Sequence, residues 1–483
     1  MNENFKILFV SSEVAPYVST GGLAYVAGTL PKALFNLGCD IKIVLPKYKS
    51  IDDKKFGLSY VCELDKGGLL KVSNLPNTNI NVYFIQNDKY YNRDGLYGTH
   101  DGDYPDNNER FIYFCKVIFE VLKKINFKPD CIHLNDWQCG LIPVYLRLIS
   151  EKDDFYKNIS TVFTIHNLAY QGIFSKETME LAQLPWNLFT FDKLEFWGMF
   201  NFMKAGLVFS DLITTVSETY SKEIQNSHEF GMGLEGVLKE RSKDIYGIIN
   251  GIDYDEWNPA LDKSLPINYN ITSISKKLEV KKYLLNELNM PFDVNTPVIG
   301  MVSRLDEQKG IDIFVSAIDD LMRLNVQFII LGNGERKYHE LLKMLSEKYP
   351  DRISVNLRFD DKLAHKIYAG SDFTLMPSKF EPCGLAQLIS FKYGTVPIVR
   401  ATGGLIDTVK NFNANEGTGS GFTFTDYSAK ALVDSIRRAL EVYKNKKVFA
   451  KLIINNMKLD FSWKSSAEKY IEVYKRAVSK ESN

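Results

Sequence analysis

At 483 residues, the chain is longer than one hydrophobic core usually organises, so two domains of roughly 200 to 250 residues are expected. Lys plus Arg and Asp plus Glu both number 59, which excludes a broad basic surface for nucleic acid or an anionic membrane. Six cysteines without a CxxC pair or a metal-like spacing to histidine favour reduced thiols in a cytoplasmic protein.

The first half alternates strand-like and helix-like segments. An apolar strand at residues 6–10 is followed by a glycine loop, a helix near 23–37 and a strand at 41–45, which together form a βαβ unit. Further strand-like runs lie at 81–85, 131–134, 161–164 and 211–216. This alternation predicts an α/β domain with a doubly wound parallel sheet.

The second half repeats the scheme and predicts a second doubly wound sheet. Strands are expected at 298–302, 327–331, 353–355, 373–376 and 396–399, with helices near 311–324 and 385–393 and from Leu405. A polar stretch at about 250–296 reads as the link between the halves. We therefore expect domains at 1–253 and 254–464, and a helix within 465–483 that either caps the second domain or returns to the first.

The tetrapeptide Thr-Gly-Gly-Leu occurs at residues 20–23 and again at 402–405, each time at a turn that opens a helix. Paired glycines let backbone N–H groups approach a ligand, and the positive end of the helix dipole points to the same place. A single copy is more often a plain turn. Because ligands of open α/β sheets bind at the carboxyl ends of the strands, the two copies together predict two domains facing one ligand.

Two loops of the second half carry charged candidates. Arg304 and Lys309 lie on one strand-to-helix loop, where both cations could converge on a diphosphate or could simply be solvated. Glu381 lies on the next such loop, near a helix N-terminus, where it could cap the helix or hold a sugar hydroxyl.

Two strand ends of the first half carry polar candidates. The pair Asp136-Trp137 offers a hydrogen-bonding carboxylate beside a ring on which a sugar could stack. His166 follows the next strand, although a lone histidine is more often structural than functional.

The segments that carry these residues resemble the bacterial glycogen synthase and starch synthase family, glycosyltransferase family 5. In chain order they are STGGLAYVAGTLPKAL, HLNDWQCGL, FTIHNLAYQG, TTVSETYSKEI, EFGMGLEGVL, NGIDYDEWNP, SRLDEQKGID, PSKFEPCGLAQL and TGGLIDTV. They occur in the family's order and spacing from Lys6 to about Tyr474. The combination is highly specific.

The resemblance implies a GT-B fold, with two Rossmann-like domains facing a central cleft. It implies transfer of glucose from ADP-glucose to the nonreducing end of an α-1,4-glucan, with retention at the anomeric carbon and without a cofactor or a metal ion. The expected partners are ADP-glucose and the glucan, with neither nucleic acid nor membrane, and the oligomeric state stays open. Retaining enzymes of this fold are usually assigned a front-face mechanism without a covalent intermediate.

The resemblance also assigns residues. Arg304 and Lys309 match the cations that neutralise the departing diphosphate, and Glu381 matches the carboxylate that holds the donor glucose. The other candidates are His166 and Asn167 beside the transferred glucose, Asp136 and Trp137 on the acceptor side, Asn250 at the sugar, Phe359 at the adenine, Cys383, Gly384 and Leu385 in the sugar-contacting turn, Tyr91 in an acceptor-side loop, and the glycine loops Ser19, Thr20, Gly21, Gly22 and Thr402, Gly403, Gly404.

The first glycine loop departs from the family pattern. Ser19 stands where the family has lysine, and Tyr25 stands where it has aspartate. The loss of both charges leaves two alternatives to an active synthase open. One is an attenuated or catalytically silent paralogue that binds glucan or nucleotide, and the other is a GT-B enzyme with a different donor or acceptor.

Overall fold

The computed structural model describes residues 5–99 and 102–481, and the structural statements below concern these residues. The chain divides into two compact units. Unit 1 comprises Met1–Gly251 and Trp463–Asn483, and unit 2 comprises Ile252–Ser462. Parts of the predicted domains, at residues 1–4, 100–101 and 482–483, lie outside the described residues.

Unit 1 is built on a nine-stranded sheet, counted over the described residues, in the order β14-β13-β9-β8-β1-β2-β5-β4-β3. Smaller antiparallel sheets pair β10-β12-β11 and β6-β7. The strands are β1 Lys6–Val10, β2 Asp40–Pro46, β3 Ser59–Glu63, β4 Leu69–Asn74, β5 Asn81–Gln86, β6 Gly98–Thr99, β7 Gly102–Asp103, β8 Cys131–Asn135, β9 Ser160–Ile165, β10 Ile173–Phe174, β11 Glu195–Phe196, β12 Met199–Asn201, β13 Leu212–Thr215 and β14 Ile245–Gly247.

The main sheet of unit 1 is mixed, whereas the sequence predicts a parallel one. Strands β3, β4 and β5 pair antiparallel, and the other pairs are parallel. Strands β8 and β9 are buried at every residue, while β3 and β4 are half exposed at the sheet edge. An antiparallel edge can face water on one side, so its strands carry polar residues and escape an apolar-run search.

Helices connect many of the strands of unit 1. They are α1 Gly22–Asn36, α2 Asp53–Phe56, α3 Asp88–Tyr91, α4 Asn107–Lys124, α5 Ile142–Ser150, α6 Thr178–Ala182, α7 Phe202–Phe209, α8 Glu218–Asn226, α9 His228–Gly231 and α10 Glu235–Glu240. The first loop and α1 thus connect the parallel neighbours β1 and β2, which is the predicted βαβ unit.

Unit 2 contains a six-stranded parallel sheet, counted over the described residues, in the order β17-β16-β15-β18-β19-β20. Its strands are β15 Val298–Val302, β16 Gln327–Leu331, β17 Ile353–Asn356, β18 Phe373–Met376, β19 Val396–Arg400 and β20 Phe422–Phe424. Its helices are α11 Lys277–Glu287, α12 Ile311–Ser316, α13 Ile318–Leu321, α14 Arg336–Lys348, α15 Asp361–Gly370, α16 Ala386–Lys392, α17 Gly404–Thr408, α18 Ala429–Lys444 and α19 Lys446–Met457.

One predicted helix of unit 2, at 311–324, is divided in the structure. Its two parts, α12 and α13, meet at Ala317. The N–H of Ala317 is shared between the carbonyls of Ile313 and Phe314, at 3.1 and 3.2 Å. Such bifurcated bonds are common at helix ends, where the last turn tightens. The tightened turn at Ala317 interrupts the regular helix.

The last helix, α20 Trp463–Glu481, belongs to unit 1 and packs on α1, β8 and β9. The Tyr474 hydroxyl lies 2.7 Å from His133 Nδ1 within the core, and Ser466 Oγ donates to the carbonyl of Ile249 at 2.6 Å. The sequence leaves the destination of this helix open, and these contacts place it against the first unit. Across the described residues, every helix is too short or too polar to cross a membrane.

Candidate functional site

Three neighbouring parallel strands of unit 1 end at one edge of its sheet. They are β1, β8 and β9, and the segments that follow them carry Glu13, Asp136 and His166. All three side chains are buried, which is unusual for a carboxylate. This edge is where open α/β sheets bind their ligands.

Asp136 has a strained backbone. Its φ is +57° and its ψ is −179°, a region that is essentially restricted to glycine and costs of order 1–3 kcal/mol for other residues. Its carboxylate accepts the backbone N–H of His166 at 2.7 Å, and its own N–H donates to the carbonyl of Thr164 at 3.0 Å. Burial raises the pKa of Asp136 to about 7. Strain that is held in place in this way is characteristic of functional positions.

His166 is a neutral imidazole with a defined tautomer. Burial lowers its pKa to about 3. The amide nitrogen of Asn135 donates to the carbonyl of Val10 at 2.9 Å, so Asn135 Oδ1 faces His166 Nε2 as an acceptor, also at 2.9 Å. His166 therefore carries its proton on Nε2, which leaves Nδ1 as an acceptor.

Glu13 is a site residue that the sequence analysis does not identify. Its carboxylate is only 3% exposed and accepts the N–H of Thr20 at 2.5 Å, the hydroxyl of Thr20 at 2.6 Å and the hydroxyl of Tyr97 at 2.7 Å. The Ser-Ser-Glu sequence directly after the first buried strand was the available signal. Glu13 ties the first glycine loop to the sheet edge.

The first glycine loop itself is exposed from Ser19 to Gly22. A Cβ atom added at Gly21 or Gly22 would meet nothing within 4 Å. Both glycines thus leave an open backbone face at the start of α1, as the sequence predicts for a ligand-binding turn. Tyr25, at the family's aspartate position, is half-buried on α1.

The ring of Trp137 does not form the predicted stacking surface. It is 8% exposed, and the rings of Phe111, Phe174 and Phe202 surround it at centroid distances of 4.9, 5.8 and 5.8 Å. A Cβ atom at Gly172 would lie 2.2 Å from the indole. The ring is part of the aromatic core beneath Asp136, and it supports the strained turn instead of offering a face to a sugar.

Tyr91, predicted as a substrate-binding residue of an acceptor-side loop, has its side chain in the core. Tyr91 is completely buried, and its hydroxyl donates to the carbonyl of Arg110 at 3.0 Å. Its ring packs edge-on against Tyr48 at 5.8 Å. Tyr91 therefore stabilises the base of its loop.

Two further candidates of unit 1 are Asn250, which follows β14, and Asn167, which follows β9. Asn250 is buried, and its Oδ1 has no hydrogen-bond partner within the described part of the chain. A buried acceptor without a donor costs about 1–3 kcal/mol, which is consistent with a ligand donor. Asn167 is half-buried beside His166, and its Oδ1 accepts the N–H of Ala169 at 3.1 Å.

In unit 2, the loops after the adjacent strands β15 and β18 bring two predicted residues into contact. Lys309 Nζ lies 2.6 Å from Glu381 Oε2, and Ser378 Oγ donates to the same oxygen at 3.0 Å. The side chain of Glu381 is 7% exposed. The carboxylate is thus fixed in position by a cation and a hydroxyl, whereas the sequence left a helix cap as an alternative.

Two hydrogen bonds, one of them from a side chain, join these two loops. The N–H of Lys379 donates to the carbonyl of Gln308 at 2.8 Å, and Gln308 Nε2 donates to the carbonyl of Phe380 at 3.2 Å. Arg304 remains 41% exposed and pairs with Asp306 at 3.0 Å. The loop that carries Arg304 and Lys309 is thus held against the loop that carries Glu381. Arg304 is the more accessible of the two cations.

The second glycine loop packs directly on the turn that carries Glu381. Gly403 has a φ of +48°, and a Cβ atom there would lie 2.1 Å from the carbonyl oxygen of Glu381. A Cβ atom at Gly404 would lie 2.3 Å from the carbonyl oxygen of Cys383, and the N–H of Gly404 donates to the backbone carbonyl of Glu381 at 3.0 Å. Both glycines are required by this close packing, which the ligand-approach argument does not anticipate.

The turn after Glu381 is held by a second residue that the sequence analysis does not assign. Gln387 Nε2 donates to the carbonyls of Cys383 and Gly384 at 3.0 and 3.1 Å. Gly384 has a φ of +75°, and Leu385 is half-buried just before α16. Thr402 Oγ1 is buried, with no hydrogen-bond partner in the described ranges.

Phe359 lies three residues after β17 and is 89% exposed. An accessible ring at this position is what stacking on an adenine requires. Its assignment stays a prediction.

We expect Gly404→Ala to lower both stability and activity, because the added methyl group overlaps the carbonyl of Cys383 and displaces the turn of Glu381. The expected cost is about 2 kcal/mol, or a fall in Tm of about 5 °C. The activity should fall more than tenfold. The control is Gly236→Ala in α10, where a Cβ atom meets nothing within 4 Å and where Tm should stay or rise. Equal behaviour of the two variants in calorimetry and assay would contradict the packing argument.

Comparison with known proteins identifies the family. The model for "Starch synthase catalytic domain" matches residues 6–240, and that for "Glycosyl transferases group 1" matches residues 289–455. The glycogen synthase of Thermosipho melanesiensis is 45% identical, with 98% of this chain and 99% of that protein covered. The chain belongs to the glycogen synthase and starch synthase family. The glycogen synthase of Thermotoga maritima is 43% identical with the same coverage.

Solved structures agree with this family assignment. The catalytic domain of starch synthase IV from Arabidopsis thaliana, bound to ADP and acarbose, matches with a TM-score of 0.91 at 32% identity, covering 99% of this chain and 100% of that one. A sucrose-phosphate synthase from Thermosynechococcus elongatus, with a TM-score of 0.61 at 18% identity, shares the fold. The predicted family, the GT-B fold and the glucosyltransferase activity are confirmed.

Proposed function

We propose that this synthase transfers glucose from ADP-glucose to the nonreducing end of an α-1,4-glucan, with retention of the anomeric configuration and without a metal ion. The observation that carries the proposal is the contact between Lys309 and Glu381 at the strand ends of unit 2, in a chain of this family. A buried, hydrogen-bonded carboxylate beside a lysine suits a pocket that holds a neutral sugar next to a diphosphate.

The proposed roles follow from charge and protonation state. Arg304 and Lys309 neutralise the negative charge that develops on the departing ADP, which is the main electrostatic demand of the transfer. Glu381, fixed by Ser378, accepts hydrogen bonds from the donor glucose. In unit 1, neutral His166 offers Nδ1 to a sugar hydroxyl, and Asp136 holds the backbone of that segment through the N–H of His166.

Ser19 and Tyr25 remove two charges that the family pattern carries at the first glycine loop. A lost charge-assisted hydrogen bond to the donor costs about 1.5 to 3 kcal/mol, or one to two decades in donor affinity or rate. We therefore propose an enzyme that is active but slower with its donor than synthases that keep the lysine. No finding of the comparisons favours a silent chain.

The test is a transfer assay with ADP-glucose or UDP-glucose and with glycogen, maltooligosaccharide or no acceptor. We expect the wild type to transfer from ADP-glucose to glycogen, and the variant Ser19→Lys/Tyr25→Asp to gain about tenfold in kcat/KM for the donor. Absence of transfer by the wild type, with activity appearing only in the double variant, would establish the silent alternative. Transfer only from UDP-glucose would overturn the proposed donor.

A further inference from the structure

The carboxylate of Glu13 is buried without a cation. Its three hydrogen bonds come from neutral donors, two on Thr20 and one on Tyr97, and no Lys or Arg of the described residues forms an ion pair with it. Burying a charge is costly unless hydrogen bonds compensate it. Bonds to a carboxylate are roughly twice as strong as neutral ones, and three of them converge here.

These bonds determine the orientation of the first glycine loop. Thr20 directs both its N–H and its hydroxyl to Glu13, so these two donors point to the sheet edge although the residue is exposed. The following N–H groups, of Gly21 and Gly22, have no acceptor within the described part of the chain. Tyr97 fixes the carboxylate from its other side, and its hydroxyl also lies 2.8 Å from Ser12 Oγ.

The loop has no cationic side chain of its own, because Ser19 stands at the family's lysine position. The loop can therefore bind the diphosphate of ADP-glucose only through backbone N–H groups, through hydroxyl groups and through the positive N-terminus of the fifteen-residue helix α1. Backbone donors stabilise a charge most when their direction is fixed before the ligand arrives, because no reorganisation is then needed. Backbone bonds hold the two ends of the loop, from Val18 to Val14 and from Ala15 to Ala24, and the bonds from Thr20 to Glu13 hold its middle.

We propose that Glu13 is a positioning residue for the substrate ADP-glucose. Its carboxylate holds Thr20 so that the N–H groups of Gly21 and Gly22 face the bound ADP-glucose. The inference rests on the proposed function. Glu13 acts through Thr20 and does not touch the substrate.

The test uses Thr20→Val, which removes one of the bonds to Glu13, together with Glu13→Gln and Glu13→Ala. The matched control is Asp211→Asn, because Asp211 Oδ2 accepts the N–H and the hydroxyl of Thr161, both at 2.7 Å, at the amino end of β9. Here too one carboxylate accepts the N–H and the hydroxyl of a threonine, but at the amino ends of the strands, away from the candidate site. The readouts are kcat/KM for ADP-glucose, KM for glycogen, ADP affinity by calorimetry, and Tm.

We expect kcat/KM for ADP-glucose to fall five- to tenfold in Thr20→Val and more than thirtyfold in Glu13→Ala, with KM for glycogen within twofold of wild type. Glu13→Gln should recover part of the loss, since its amide oxygen can accept the N–H of Thr20 while its NH₂ group faces the two hydroxyls. Asp211→Asn should lower Tm and leave kcat/KM within twofold.

The proposal is overturned if Thr20→Val and Glu13→Ala lower Tm as Asp211→Asn does but keep the donor kcat/KM and the ADP affinity of the wild type. A wild type that binds ADP without transferring glucose would refute the proposed function alone, and the ADP affinities of the variants would then decide the role of Glu13. A wild type that neither binds ADP nor transfers glucose would refute both.

Discussion

Replacing Lys309 by methionine is expected to lower kcat by about 10²- to 10³-fold, the loss seen when one preorganised donor to a developing negative charge is removed. The same change should destabilise the protein by about 3–5 kcal/mol, because it leaves the carboxylate of Glu381, which is 7% exposed, without its cation. Initial-rate kinetics and denaturant unfolding of unit 2 measure the two effects separately.

The double variant Lys309→Met/Glu381→Gln separates these two effects. With no charge left to bury, it should regain much of the lost stability but none of the lost activity. The control is Lys366→Met, which breaks a pair with Glu287 in the same unit, where the glutamate is 36% exposed. A surface pair of this kind is worth at most about 1 kcal/mol, and kcat should not change. Recovery of activity in the double variant would refute the assigned role of Lys309.

The stability of unit 1 is expected to fall by about 1.4 kcal/mol between pH 6 and pH 5, the value of one net proton per pH unit. Burial lowers the pKa of His133 and of His166 to about 3, so in this window the unfolded chain binds two protons that the folded chain does not. Burial raises the pKa of Asp136 to about 7, so the folded chain holds one proton that the unfolded chain releases. The two histidines make the free energy of unfolding rise with pH, and the aspartate makes it fall. The unfolded chain therefore binds about one proton more than the folded chain.

Two variants test the sign of each contribution. Asp136→Asn removes the opposing proton, so the slope should double to about 2.8 kcal/mol per pH unit. His166→Asn removes one of the two histidines, so the slope should fall to near zero. Urea unfolding at pH 5.0, 5.5 and 6.0, with hydrogen exchange of β8 and β9 as the reporter of unit 1, gives the three slopes. An unchanged slope in Asp136→Asn would show that this carboxyl is ionised in the folded protein, because it would then bind almost no proton in either state between pH 5 and pH 6.

The positions of the site residues along the chain could be predicted because the strands before them are buried on both faces. Strands β8 and β9 have apolar centres, at Ile132 and at Val162-Phe163, and the segments that follow them carry Asp136 and His166. The contact between Lys309 and Glu381 follows in the same way, since adjacent parallel strands bring their following loops together. The half-exposed strands β3 and β4 contain polar residues along their length, so they could not be recognised from an apolar segment of the sequence.

What the sequence could not predict depends on residues far apart in the chain. Trp137 is of a residue type that stacks on sugars. Its ring is enclosed because Phe111, Phe174 and Phe202, from three other segments, pack around it. Glu13 resembles an ordinary loop carboxylate until Tyr97, 84 residues away, contributes its hydroxyl. In both cases the local pattern is correct about chemistry, but burial is decided by tertiary packing.

The docking of α20 on unit 1 has a consequence for synthesis of the protein. Residues from Trp463 onward fill the space beside α1, β8 and β9, and Tyr474 bonds His133 in the core. Because a nascent chain leaves the ribosome from its N-terminus, unit 1 lacks this helix until after all of unit 2 has emerged. Unit 2, whose segments are contiguous, can reach its native state first. The order of completion is therefore the reverse of the order of translation, and the growing first unit exposes an unfilled apolar surface to chaperones for most of that time.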